Sequence, residues 1–290
     1  MTDRLRQFGK QGAFGLLLVA PPFLLMLWLI FWPILGALFD SLQVPVATGT
    51  EWSLARYTTF FTDAYSRANL WITVVTTLVS AALLLVVSLP IALYLRFVNS
   101  RTAAVVQSLS LFPLFVPSII LAFAFVRVLG PNGMVDIILN AVGLPTIRSP
   151  YLTFWGPVIG FVWDNLPLTL VIILAGLANV SNQSIEAARD VGAGRIAVLR
   201  HIILPRISTS ILAAMAFVII SIFPSFTFPY LLGPSAPEMM GPFMQRTFNN
   251  LYDPETAKVQ SVITFICCIG FGAFYVWSIL KGRKAAERAK

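Results

Sequence analysis

The chain has 290 residues, 58% hydrophobic and 11% charged, with a mean hydropathy of +0.83 and a formal net charge of +8. A water-soluble domain carries about 25% charged residues, so the composition excludes one and describes a polytopic membrane protein whose apolar surface faces lipid as well as its own core. There is a single histidine, His201, and the two cysteines, Cys267 and Cys268, are adjacent in an apolar run. That leaves no ligand set for a structural zinc site and no ready disulfide.

Six apolar runs reach the roughly 20 residues that cross a bilayer: Phe14–Leu38, Leu70–Leu95, Ala103–Leu129, Phe154–Ala178, Ile207–Leu232 and Val259–Leu280. The first is too long for a signal-peptide core and lacks a small-residue cleavage site, so it reads as a retained anchor. After it, Tyr57, Phe60, Phe61 and Tyr65 fit a short amphipathic helix at the outer interface, and equally an ordinary aromatic belt. Proline recurs inside the runs, at Pro33, Pro90, Pro113, Pro117, Pro167, Pro224 and Pro229. Each removes a backbone donor and invites a kink, tolerated where neighbours or a polar cavity satisfy the freed carbonyl. A pathway that opens and closes can use such kinks, and static bundles carry them too.

Lys and Arg set the orientation. With both termini inside, the inner segments hold Arg4, Arg6, Lys10, Arg96, Arg101, Arg189, Arg195, Arg200, Arg206, Lys281, Arg283, Lys284, Arg288 and Lys290, which is 14 of the 20 basic residues. The positive charge is then a topological signature rather than a nucleic-acid patch, and no nucleic-acid partner is expected.

The polar interruption 179–205, between the fourth and fifth runs, falls on the inner side. It contains IEAARDVGAGRIAVLRHIILP, Ile185–Pro205. Ser184 is placed to cap a helix with Glu186 in its first turn, where the helix dipole favours an acid. Ala187 and Ala188 are small enough for a partner surface to come close. Gly192 and Gly194 can break the helix, a second short helix of about Arg195–Ile203 follows, and Pro205 suits the first turn of the next span. The expected shape is helix, sharp turn, helix, built to be held by another protein; a linker resting on lipid headgroups is the alternative.

Two places suit cargo. In Trp163-Asp164-Asn165 the acid lies roughly 15 Å inside the outer edge of the fourth run, taking 1.5 Å per residue. An ionisable group at that depth is costly and marks a functional site by default. Asp164 can face a cationic solute or pair with Arg127. In the fifth run, Phe223-Pro224-Ser225-Phe226-Thr227-Phe228-Pro229-Tyr230 supplies aromatic faces for cation–π contact together with two hydroxyls; for most of these rings plain packing serves as well.

The loop resembles the EAA motif of the inner-membrane permease subunits of binding-protein-dependent ABC importers. Glu186, Ala187, Ala188, Gly192, Ala193, Ile202, Leu204 and Pro205 match at that family's spacing, and the general resemblance covers essentially the whole chain. It implies an all-α type I importer permease fold, a single transmembrane domain over 1–290 with a cytoplasmic coupling loop at 179–205, in the bacterial plasma (inner) membrane. It also implies a pair of ABC ATPase subunits, which bind ATP and Mg and contact Glu186, Ala187, Ala188, Gly192, Ala193 and Pro205. A second permease subunit and an external (periplasmic) solute-binding protein complete the implied assembly. This chain has no G-x-x-x-x-G-K-[ST] phosphate loop, so the ATPase site and its cofactors belong elsewhere.

Within the family, sugar-type permeases show an acid directly before the motif glycine, whereas Asp190 stands one place earlier, before Val191 and Gly192. That, with Asn165-Leu166-Pro167, Leu231–Pro234 and Gly241–Phe248, resembles the spermidine/putrescine (polyamine and opine) branch. The substrate-pathway candidates are Asp164, Asn165, Phe223, Ser225, Phe226, Thr227 and Tyr230. Thr227 departs from the acid often found before the fifth-span Phe of that branch, which leaves a sugar or another neutral or anionic solute open. A stand-alone secondary transporter calls for repeated halves and coupling-ion sites, and an intramembrane enzyme for paired acids or a nucleophile with its base; the sequence supplies neither.

Overall fold

The computed structural model describes residues 17–46, 49–145 and 149–288. Phe14, Arg4, Arg6, Lys10 and Lys290 lie outside the described residues. Helix α1 (Leu17–Ser41) passes through a π turn at Leu27–Phe31 just before Pro33. Proline offers no N–H to the carbonyl four residues back and crowds it, and a widened turn relieves both problems. A hairpin of β1 (Gln43–Val46) and β2 (Gly49–Trp52) follows, antiparallel with Gln43 opposite Trp52. It is the only β structure among the described residues.

Helix α2 (Ala55–Thr62) is the short helix expected from the aromatics. Phe60 is buried in a cluster with Met240, Phe243, Val259 and Ile263, and Phe61 is exposed. Tyr65 belongs instead to α3 (Ala64–Phe97), which Asp63 opens by accepting the Ser66 amide at 2.7 Å. The Ser66 hydroxyl and amide hold that carboxyl below the usual carboxylate range.

The third run is not one helix. It forms α4 (Arg101–Leu111), a 3-10 turn at Phe112–Phe115, and α5 (Ser118–Leu129), followed by α6 (Met134–Ala141). Pro113 and Pro117 withdraw two donors one turn apart, and the residue before each is biased against the α region. Next come α7 (Trp155–Ala178), α8 (Asn182–Asp190) and α9 (Arg195–Ile222). Like α1, α9 carries a π turn (Leu199–Ile203) just before a proline, here Pro205. The expected fifth span Ile207–Leu232 is broken at Phe223–Phe226 around Pro224, leaving α10 (Thr227–Leu232) as a separate short helix. Helices α11 (Met240–Asn249) and α12 (Pro254–Arg288) complete the chain, α12 beginning five residues earlier than the sixth run. Among the described residues six helical stretches are long and apolar enough to cross a membrane: α1, α3, Ser118–Ala141, α7, α9 and Pro254–Leu280.

Helix α7 lies at the centre, packed on α3 and α9, while α1 leans on α12 at the periphery. Two apolar clusters share α7. One joins Phe161 and Leu166 to Leu84, Leu121, Ile222, Phe228 and Leu232. The other joins Leu170, Ile173 and Leu177 to Ala92, Ile185, Val198, Ile203 and Ile207. Small residues allow the close approach, as is usual between helices in lipid. A β-carbon at Gly160 would meet the Phe228 ring at 2.5 Å, and one at Gly176 would lie 2.6 Å from Ser210 Cβ on α9.

Gly176→Leu should therefore wedge α7 from α9 and destabilise the chain by roughly 1–3 kcal/mol, the usual cost of overpacking. The thermal denaturation midpoint of the detergent-solubilised protein measures this, and an unchanged midpoint would contradict the packing described.

Candidate functional site

The loop between α7 and α9 has the bent two-helix shape expected, with a shifted start. Ser181, not Ser184, is the N-cap of α8, its Oγ accepting the Ser184 amide at 3.3 Å. Glu186 therefore sits mid-helix rather than in the first turn. The helix ends in paired bonds, Ala193 N–H to the Ala188 carbonyl at 2.9 Å and Gly192 N–H to the Arg189 carbonyl at 2.8 Å. That is a Schellman ending, with Gly192 in the left-handed region at φ +85°. Gly194 has ordinary extended backbone and caps α9. Ile185, Val198 and Ile203 are buried under the loop. Glu186, Ala187 and Gly192 are exposed, Ala188 and Ala193 are half-buried, and Pro205 lies in the first turn after the π turn. Sequence reasoning passed over Val191 and Ile196, which are 85% and 81% exposed on either side of the glycine turn. Two large apolar side chains so presented in a polar loop were a readable signal of a contact surface.

Asp164 is half-buried on α7 and does not pair with Arg127, which is exposed nine residues, about 13 Å, farther along α5. Its partner is Ser118, whose hydroxyl donates to Asp164 Oδ1 at 2.9 Å. The two line an open cleft of about 370 Å³ walled by Pro113–Pro117. Here the broken third run and the acid of the fourth meet: the break brings non-helical backbone beside a carboxylate. Asn165, by contrast, is buried and donates to the Phe161 carbonyl at 3.0 Å.

The fifth-run candidates divide. Phe223 is fully buried against Phe271, and the neighbouring Phe228 against Phe161. Ser225 and Thr227 are half-buried. Phe226, the N-cap of α10, and Tyr230 within it stack on one another at 4.7 Å with both rings exposed, and α10 packs against α5 and α7.

A polar network absent from the sequence reading ties α11 to α3. Glu238, 7% exposed, pairs with Arg246 at 2.7 Å. It also accepts from the Tyr65 hydroxyl at 3.0 Å, and its amide donates to Asn69 Oδ1 at 3.0 Å. Arg246 donates to the Tyr65 oxygen and lies over the rings of Tyr65 and Phe243. Beside it, the Met240 amide donates to Thr73 at 2.9 Å. These partners are some 170 residues apart in sequence. The only hint was an acid and an arginine eight residues apart in one short segment.

The arrangement defines a class: an α-helical polytopic membrane protein with six apolar helical stretches, proline-broken segments and a bent polar loop between α7 and α9. The chain belongs to the family of binding-protein-dependent transport system inner membrane components, matching over residues 85–280. It is thus a permease subunit of an ABC importer and a multi-pass inner-membrane protein. It is 24% identical to the trehalose/maltose transport system permease protein of Thermococcus litoralis, over 95% of this chain and 96% of that one. It is 28% identical to the sulfoquinovosyl glycerol transport system permease protein of Agrobacterium fabrum, over 77% and 75%. Its fold is the type I importer permease fold: a chain of a bacterial alginate ABC transporter, solved in complex with an alginate pentasaccharide-bound periplasmic protein, superposes with a TM-score of 0.79 at 18% identity, covering 94% of this chain and 96% of that one.

These likenesses do not support the polyamine branch. Asp190 is exposed at the end of α8, in the polar loop between α7 and α9. Asn165 spends its amide on its own helix.

Glu238→Gln keeps the shape of the buried side chain but removes its charge from Arg246 and Tyr65. It should cost about 1–3 kcal/mol, read as a lowered thermal midpoint of the purified protein with membrane insertion intact.

Proposed function

We propose that this subunit forms the pathway for a glycoside or similar polyhydroxylated solute. The carrying observation is that relatives named for glycosides align over 77–95% of the chain. The site chemistry agrees. The Asp164–Ser118 cleft offers a carboxylate acceptor and a hydroxyl at membrane depth, groups that bind hydroxyls. The exposed Phe226–Tyr230 stack offers a flat face of the kind that receives the apolar side of a sugar ring. A cationic polyamine would call for several acids, and Asp164 stands in its cleft with none beside it.

In this reading both termini and the 179–205 loop are cytoplasmic. Two ATPase subunits bind ATP and Mg and hold α8 through Glu186, Ala187, Ala188, Gly192 and Ala193, with exposed Val191 and Ile196 filling apolar recesses. Pro205 fixes where the loop joins α9. A second permease, a different chain or a second copy, completes the pore, and an external binding protein delivers the solute. Ile185, Val198 and Ile203 join the loop to the same apolar cluster as α3, α7 and α9, so displacement of α8 moves the bundle as a packed body.

The direct test is ligand binding by the cognate external receptor, followed by ATPase stimulation of the reconstituted complex. Glycosides should stimulate and spermidine or putrescine should not; the reverse pattern refutes the solute reading. Gly192→Val forces a β-branched residue into a left-handed conformation costing at least about 1–2 kcal/mol, and should reduce ATPase co-purification and ATP-driven uptake while the chain still inserts. Asp164→Asn should lower uptake of a neutral glycoside about tenfold, the worth of one hydrogen bond to a charged group, with ATPase association unchanged. Unaltered uptake kinetics would remove Asp164 from the pathway.

A further inference from the structure

The joint between α7 and α8 is three residues long, Asn179-Val180-Ser181. Such a linker could absorb a rotation of α8 instead of transmitting it. One side chain crosses it. Arg96, in the last turn of α3, donates through Nε to the Leu177 carbonyl at 3.3 Å and through Nη2 to the Val180 carbonyl at 3.3 Å and to Asn182 Oδ1 at 3.0 Å. Its guanidinium also lies 5.5 Å from the Phe97 ring centroid. The first acceptor is in the last turn of α7, the second is in the joint, and the third is the first residue of α8. The Leu177 carbonyl already accepts the Val180 amide at 3.1 Å, so Arg96 is a second donor to it, and the negative end of the α7 dipole there favours a cation. Reaching three acceptors on two elements needs the planar fork of arginine; an ammonium on a flexible stem lacks it.

We infer that Arg96 is a positioning residue that locks the α7–α8 joint onto α3, so that α3, α7 and α8 move as one body. This rests on α8 being the element held by the ATPase. The apolar underside of the joint supports it: Val180 and Ile185 are 1% and 4% exposed and pack with Ala92 and Leu177. Packing resists separation of the parts; the directional bonds from Arg96 resist twist about the joint.

The test uses the complete importer in proteoliposomes, with both permease subunits, the ATPases and the loaded receptor. Arg96→Gln should leave ATPase co-purification and hydrolysis near wild type while solute moved per ATP falls roughly three- to tenfold, in the range that residues along a coupling route command. Arg96→Lys should restore part of that ratio. Asn182→Ala, which removes one exposed acceptor and threatens folding least, should lower it in the same direction, and Arg96→Gln should speed amide exchange across residues 179–186. A merely structural role predicts that transport and hydrolysis fall together with the amount of folded complex, leaving the ratio unchanged; that result in both Arg96→Gln and Asn182→Ala overturns the proposal. Gly192→Val separates the two levels. If it weakens ATPase association while the ratio in the Arg96 and Asn182 variants holds, only the brace is wrong. If it changes nothing, the docking role of α8 fails and the brace with it.

Discussion

At Gly176 the backbone of α7 lies so near α9 that a β-carbon would press on Ser210, and at Gly160 another would press into the Phe228 ring. In lipid, apolar surface gains little by turning inward, because the surrounding tails are as apolar as leucine; helices adhere by contact and dispersion where backbones come close. The rest of the bundle follows from this. Because α7 is held tightly on both sides, the two apolar clusters that share it span the bundle from α10 and Leu232 at one end to Ile185 and Val198 under the loop at the other. The helix also carries Asp164 within the stretch Phe161–Leu166 of the first cluster, where a half-buried carboxylate is sustained by a donor. Ser118 is that donor, and it is free to be because Pro113 and Pro117 end one helix and start another just there.

Prolines illustrate how local sequence becomes different structures. Pro90 and Pro167 are carried inside continuous helices. Pro33 and Pro205 follow π turns that keep the helix going. Pro113, Pro117 and Pro224 break theirs. The residue type alone predicts a disturbance at each site, and the neighbours decide its form. Pro113 and Pro117 stand one turn apart, so the losses fall together and no single widened turn can offset them. This is why six runs of adequate length were legible from hydropathy while the third and fifth were read as unbroken. The two-helix shape of the loop was equally legible, since Gly192 and Pro205 impose it through backbone geometry. Its cap was misplaced by one turn because Ser181 and Ser184 have the same chemistry, and only the path of the chain after Asn179 distinguishes them.

What the sequence concealed is long-range. Glu238 and Arg246 close onto Tyr65 and Asn69 of α3, and no local pattern encodes that meeting. The solute was concealed for another reason. The position read for it, Asp190, is exposed at the end of α8, in the polar loop and on a different element from the Asp164 cleft. Exposure among the fifth-run residues depends on the helix breaks: Phe226 and Tyr230 are exposed while Phe223 and Phe228 of the same run are core.

The loop and the cleft therefore depend on one another through α7 rather than through proximity. Leu177, near one end of the helix, packs with Ile185 beneath α8, while Phe161 and Leu166, on either side of Asp164, belong to the cluster that holds α10. Close-packed interiors switch between discrete arrangements more readily than they deform continuously. A displacement imposed on α8 thus has two outcomes: it is lost at the three-residue joint after α7, or it shifts α7 as a whole and with it the Asp164 carboxylate relative to Ser118 on α5. Since α5 begins at a proline break and is not continuous with α4, it need not follow, and under the proposed function the cleft holding Asp164 and Ser118 is where relative motion opens or closes the path.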